Sequence, residues 1–353
     1  MGDVARKAFV ATVVAVAVIA VALALWKVKI VIALVFLGLI VAAAMRPGVE
    51  RLAEHRVPRP VGVALHYLAF LAVIGLLLWL AVPRAVDQVD QALGGVPTSQ
   101  QELNQKAKHS TGIKHEFFYG LQKRLGKLPS AGSVVHRTVT IGRKALEALV
   151  GIFFVLATAA YWIFERERAM AFISSLLPRR HRRTARDTWQ LIDAKLGAYV
   201  RGTMLLVLFV ATVLSLAFWA IGVPFWLLLG AFAGIVEIIP IIGPLIAGAV
   251  AIAAGLTVSW QVALAAGLAV LGVRLLEDYI VVPRVLGHAV GLSPLVVLVS
   301  VTAIGLLLGG IYILLAVPIA AVLVTLVDVI VRDKDPAKEE VPTVLFPAQD
   351  AEG

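Results

Sequence analysis

Residues 224–256 read PFWLLLGAFAGIVEIIPIIGPLIAGAVAIAAGL. The stretch is apolar enough for a bilayer, yet it cannot form one regular helix. Pro240 and Pro244 lie four residues apart in its middle, with Gly243 between them. An interior proline removes a backbone donor and costs roughly 3 kcal/mol in a helix. Just before the break stands Glu237, with no charged residue within thirty positions on either side. Broken backbone at membrane depth survives only where protein packs around it or where it lines a wet cavity. A carboxylate left unpaired there costs a few kcal/mol. Both features demand a protein-lined site.

The rest of the chain makes the bilayer the right solvent. Of 353 residues, 60% are hydrophobic and 15% charged, against about 45–50% and about 25% in soluble domains. This excess implies an all-α, polytopic integral membrane protein. The net charge of +10 is explained by basic loops at a membrane surface, without nucleic acid. With no cysteine, disulfides, thiolate metal sites and cysteine nucleophiles are excluded.

In order along the chain, residues 9–26 and 30–45 are the first two apolar runs, joined by Trp26-Lys27-Val28-Lys29 and expected to form a tight hairpin. The first run resembles a signal peptide but lacks a small-residue cleavage site and is read as retained. A polar loop, 46–60, precedes a third span at 61–82, so that 1–83 forms an N-terminal unit. Residues 84–147 are too polar for lipid. They start as a helix, break at Gly94-Gly95-Val96-Pro97, and carry an amphipathic pattern over 116–128 with Phe117, Phe118 and Tyr119, read as packing or interfacial residues. A further helix is expected from about Val134 into the fourth span at 148–164; the fifth is 203–221 and closes at Gly222-Val223-Pro224. Together these spans and the basic loop between them, 165–201, make up 148–221. The transport core is assigned to 222–331, and 332–353 reads as a disordered tail.

The loops 46–60 and 165–201 hold 4 and 9 Lys/Arg, and two spans separate them, so they share a side. The positive-inside rule places them in the cytoplasm with both termini, and 84–147 outside. Arg179 to Arg183 is read as an orientation signal against anionic headgroups.

A second interrupted run, 294–330, is broken by Gly305, Gly309-Gly310 and Pro318. Both runs exceed the roughly 20 residues of a span. Each folds either as two short helices meeting at a tip or as one long kinked helix. Two broken segments flanking one charged span point to a secondary transporter. That span, 262–282, carries Arg274, Glu277 and Asp278 at i, i+3 and i+4, on one helix face.

The blocks YVRGTMLL at 199–206, GVPFWLLLGAFAGIVEIIPIIGP at 222–244, LEDYIVVPRVLGHAVGLSPLVVLVSV at 276–301 and LLAVPIAAVL at 314–323, in this order, resemble the autoinducer-2 exporter family of bacterial membrane proteins. The resemblance spans roughly residues 10–331. It implies about eight membrane segments in the bacterial cytoplasmic membrane, export of a small solute, an elevator-like movement and a homo-oligomer, with a pentamer suggested. Some relatives are assigned to sodium/proton antiport. In the last broken stretch Tyr312 stands where the family commonly has a small residue.

Glu237 is then either a ligand for a proton, a cation or substrate, or a carboxyl that hydrogen-bonds backbone freed at the break. Arg274, Glu277 and Asp278 form either an ion- or substrate-binding set or a structural ion-pair cluster. Pro240, Gly243, Pro244, Gly309, Gly310 and Pro318 are assigned to hairpin tips and hinges. Pro283 and Gly287 shape the following link, where Arg284 offers a cation to the surplus acid and His288 reads as solvated. The expected partners are a small polar solute, H⁺ or Na⁺, and lipid. The alternative function is a monovalent cation/proton antiporter. No cofactor is expected and no enzyme, since HExxH, GxSxG and phosphate-binding glycine loops are missing. A non-transporting scaffold would leave Glu237 without a task.

Overall fold

The computed structural model describes residues 2–93, 131–285, 292–339 and 341. They form α1 (Gly2–Lys27), α2 (Lys29–Glu54), α3 (Arg59–Leu93), α4 (Ala131–Ser175), α5 (Arg182–Ile221), α6 (Trp226–Val236), α7 (Ile242–Leu256), α8 (Trp260–Leu276), α9 (Val282–Val285), α10 (Pro294–Leu308) and α11 (Ala316–Ile330). Among the described residues five helices are long and apolar enough to cross a membrane, and there is no strand. The protein is an all-α polytopic membrane protein.

The helical bundle is held at its basic end by charge and in its middle by close backbone approach. Pro47 lies inside α2 and cannot bond the carbonyl four residues back, that of Ala43. Arg201 of α5 replaces the lost donor: its Nη1 donates to the Ala43 and Ala44 carbonyls at 3.5 and 3.2 Å. Nearby, Asp193 accepts from Arg166 Nε at 2.8 Å and faces Arg46 Nη1 at 3.7 Å, tying α2, α4 and α5 together. On α6, a side chain at Gly234 would meet the Val207 carbonyl and Ala211 of α5. Small residues at this spacing let membrane helices approach backbone to backbone.

Two apolar clusters organise the interior. One joins Val210, Leu214 and Phe218 of α5 to Ala233, Ala247, Ala251, Ala266 and Val270 of α6, α7 and α8. The other joins Ile40 and Ala43 of α2 to Leu196 of α5 and Leu315 before α11. Only α5 contributes to both.

Four expectations are corrected. Residues 46–60 and 165–201 are mainly helix, because α2, α4 and α5 run on beyond their apolar lengths. The tight N-terminal hairpin does not form. Val28 alone separates α1 from α2, at φ −98° and ψ 10°, whereas antiparallel helices need a loop of about 2–5 residues. The described side chains of α1 are exposed, and their hydropathy makes hydrocarbon their natural surrounding. The tail from Arg332 is folded over its first residues. Arg332 and Lys334 each reach Asp328 at 2.8 Å, Pro336 is buried, and Lys195 Nζ donates to Glu339 at 2.6 Å. The expected helix at 116–128, the break at 94–97, and Gly287 and His288 lie outside the described residues.

Candidate functional site

The first broken stretch is two helices with a non-helical tip, Glu237–Ile241. Part of the tip's backbone bonds locally: Ile239 N–H donates to the Val236 carbonyl at 3.0 Å, and Gly243 N–H to the Ile239 carbonyl at 2.9 Å. Ile242 N–H donates to the Pro240 carbonyl at 2.8 Å. Pro244 is the third residue of α7, where an N–H has no intrahelical partner in any case. A Cβ on Gly243 would collide with the Val236 carbonyl, so the sharp turn requires glycine there. Ile241 adopts φ +70°, unusual for a β-branched residue.

α6 and α7 fold back on one another. Ala233, four residues before the tip, and Ala247, six after it, both lie against Val210 and Leu214 of α5. α8 then runs antiparallel to α7 from its Ser259 cap, whose hydroxyl accepts from Val262 N–H at 3.2 Å. α7 and α8 have 15 and 17 residues, so the end of α8 returns to the level of the tip. This fold-back brings together residues 37 positions apart.

Arg274 is the hub. Its Nη1 donates to Glu237 Oε1 at 3.1 Å and to Glu277 Oε2 at 3.4 Å, and its Nη2 pairs with Asp278 Oδ1 at 2.9 Å. Glu277 is 2% exposed and Glu237 9%. The arrangement is thus three acids around one guanidinium, two of them buried, with negative charge in excess. The space beside them, walled by Pro244 and Val273, is about 10 Å³, room for about one water.

Glu277 opens a single π-helical turn, Glu277–Val281. Such turns insert a residue into an α-helix and recur at functional sites. Here the turn lets Glu277 point inward beside Glu237, while Asp278 stays half exposed on the same guanidinium. Sequence spacing alone identified the Arg274 face. It did not reveal that Glu237 completes the set, nor the π turn. The Glu237 carboxylate is paired with Arg274.

The second broken stretch lies elsewhere. Gly309 breaks the second stretch at φ +108° and ψ 166°, and Gly310 begins a 3-10 turn to Leu315. That break lies beside the α1–α2 junction: Lys29 Nζ is 5.7 Å from the Tyr312 ring centroid. Pro318 is the third residue of α11, buried, and starts that helix without breaking it. Pro283 is exposed in α9, and Arg284 is in the same short helix. Asp193, which sequence reading passed over as one acid in a basic loop, anchors the opposite, scaffold-like cluster. Among the described residues no group of three or more His, Cys, Asp or Glu has the arrangement of a metal site.

Compared with known proteins, residues 13–332 match the family model described as AI-2E family transporter. The chain is 25% identical over 303 residues to "Putative transport protein YrrI" of Bacillus subtilis (strain 168), covering 83% of this chain and 86% of that one. It is 27% identical over 285 residues to "Putative transport protein YueF" of the same organism, covering 78% and 77%. It is 26% identical over 309 residues to "Putative transport protein MT0215" of Mycobacterium tuberculosis (strain CDC 1551 / Oshkosh), covering 84% and 82%.

Proposed function

The chain belongs to the AI-2E transporter family and is a membrane transporter, and from that premise we propose that it is a proton-coupled secondary exporter of a small polar solute. The observation that carries this reading is the convergence of Glu237, Glu277 and Asp278 on the single guanidinium of Arg274, with Glu237 and Glu277 buried. A buried site with more acids than bases takes up or gives off a proton when its surroundings change. Arg274 already occupies the centre of the three carboxylates. This favours a proton over Na⁺ as the coupling ion, since a metal ion would first have to displace the guanidinium.

The moving unit in this reading is the α6–α7 hairpin with α8. Its support is that the two apolar clusters share only α5, so sliding one past the other disturbs few contacts outside that helix. The basic ends of α2, α4 and α5 face the cytoplasm, with export away from them.

The test is uptake of a hydroxylated furanone, the solute class suggested by the family, into inverted membrane vesicles. Wild-type uptake is expected to rise when a pH gradient is imposed, and Glu237→Gln is expected to abolish that rise while the protein still assembles. Equal gradient-driven uptake by the two proteins would overturn the role of Glu237. A pH dye in the same vesicles tests the antiporter alternative: a pH change on adding Na⁺ alone would favour it.

A further inference from the structure

A second cavity lies on the side of the molecule away from the basic ends. It is a groove of about 340 Å³ between α2 and the 310–323 segment, within the range of roughly 300–1,000 Å³ typical of ligand pockets. Its walls are apolar: Ala33 and Phe36 from α2, Leu315, Ile319 and Leu323 from the facing segment. It is far from Glu237 and lined by none of the residues that surround that site.

At the mouth of this groove stands one cation. Lys29 Nζ sits 4.0 Å from the Trp26 ring centroid and 5.7 Å from that of Tyr312. The aromatic faces hold the ammonium, but no carboxylate among the described residues pairs with it. Trp, Tyr and Lys side by side at the end of an apolar span are the residues that settle at headgroup depth. Groove and cation therefore adjoin as acyl chain and phosphate do in a lipid.

We propose that this groove is a binding site for an anionic phospholipid, with one acyl chain along the α2 wall and the phosphate on Lys29. The apolar lining selects hydrocarbon, and the unpaired ammonium selects the charge. A neutral lipid fills the same walls but gives Lys29 no net counter-charge. The lipid wedges between α2 and the second broken stretch and fixes their spacing. This site is independent of the proton-coupled reading: its lipid occupancy and the transport of solute are read by different measurements.

The experiment uses the full chain, purified in detergent and analysed by native mass spectrometry with phosphatidylglycerol and phosphatidylcholine of identical chains. Wild type is expected to retain phosphatidylglycerol about fivefold better, the preference expected for one lysine near an anionic headgroup. Lys29→Gln is expected to bring the two lipids level, and Lys29→Arg to keep the preference. Ala33→Leu from one wall, and Leu323→Trp from the other, are expected to lower retention of both lipids at least threefold. A preference for phosphatidylglycerol in Lys29→Gln as large as that of wild type would overturn the headgroup assignment. Unchanged retention in both groove-filling variants would overturn the chain assignment, and so would wild type that holds neither lipid.

Discussion

The two broken stretches use one backbone device for two purposes. Each is a pair of short helices, and in each the second helix has proline as its third residue, Pro244 and Pro318. The first tip carries Glu237 and is packed among α5 and α8, against a space for about one water. The second has no ionisable group between Leu308 and Leu315 except the Tyr312 phenol, and turns on Gly309 beside Lys29. Leu306 and Leu307 before that turn are 82% and 69% exposed. The first break therefore gathers buried charge, and the second an apolar surface. The first gathers charge because an ionisable residue is placed at it and an opposite charge is folded back to meet it.

The largest effect that separates the two stretches should come from Arg274→Ala. Removing the base leaves Glu237 and Glu277 buried without a cation, at a cost of about 3 kcal/mol or more. Thermal unfolding in detergent should show the loss, and adding Glu237→Gln and Glu277→Gln to the same chain should restore most of it. If the triple variant is as unstable as Arg274→Ala alone, Arg274 acts by packing and not by charge. The second stretch has no such charge and should instead be sensitive to backbone geometry. Gly309→Ala places a side chain at φ +108°, a region nearly confined to glycine, and should cost roughly 1–3 kcal/mol without changing the pH dependence of transport. A changed pH dependence in Gly309→Ala would mean that the two tips are coupled. The smallest effects should be those of Pro244→Ala and Pro318→Ala. Neither position needs an N–H, so each should lose only about 0.4–1 kcal/mol through the unfolded chain. A loss near 3 kcal/mol at either would show that the ring itself packs the tip.

Much of this contrast was written locally. Pro240, Gly243 and Pro244 announce a break, as do Gly309 and Gly310, and Arg274, Glu277 and Asp278 announce one helix face. What sequence could not supply were partnerships across distance. Glu237 meets Arg274 only because α6, α7 and α8 fold back and forth over similar lengths, which no local pattern records. The folded start of the tail was hidden for the same reason: it looks like a solvated charged segment until Lys195 meets Glu339. The N-terminal junction misled in the other direction. Lys27 and Lys29 look like a polar turn, but one intervening residue is too short to reverse a helix. The π turn at Glu277 leaves no mark in hydrophobic periodicity.

The shortness of α6 has an electrical consequence. Its 11 residues span about 16 Å, about half of a hydrocarbon layer of about 30 Å. In the proposed proton-coupled reading, a proton that reaches Glu237 from the Gly222 end crosses roughly half of the membrane voltage, about 1 kcal/mol per 100 mV. A potential imposed across proteoliposomes with potassium and valinomycin should change proton occupancy, and with it Glu237-dependent flux, several-fold per roughly 100 mV; flux indifferent to voltage would place the tip at one surface instead. In that reading, membrane potential acts on the hairpin as a second substrate would: it loads or empties the site before any solute arrives.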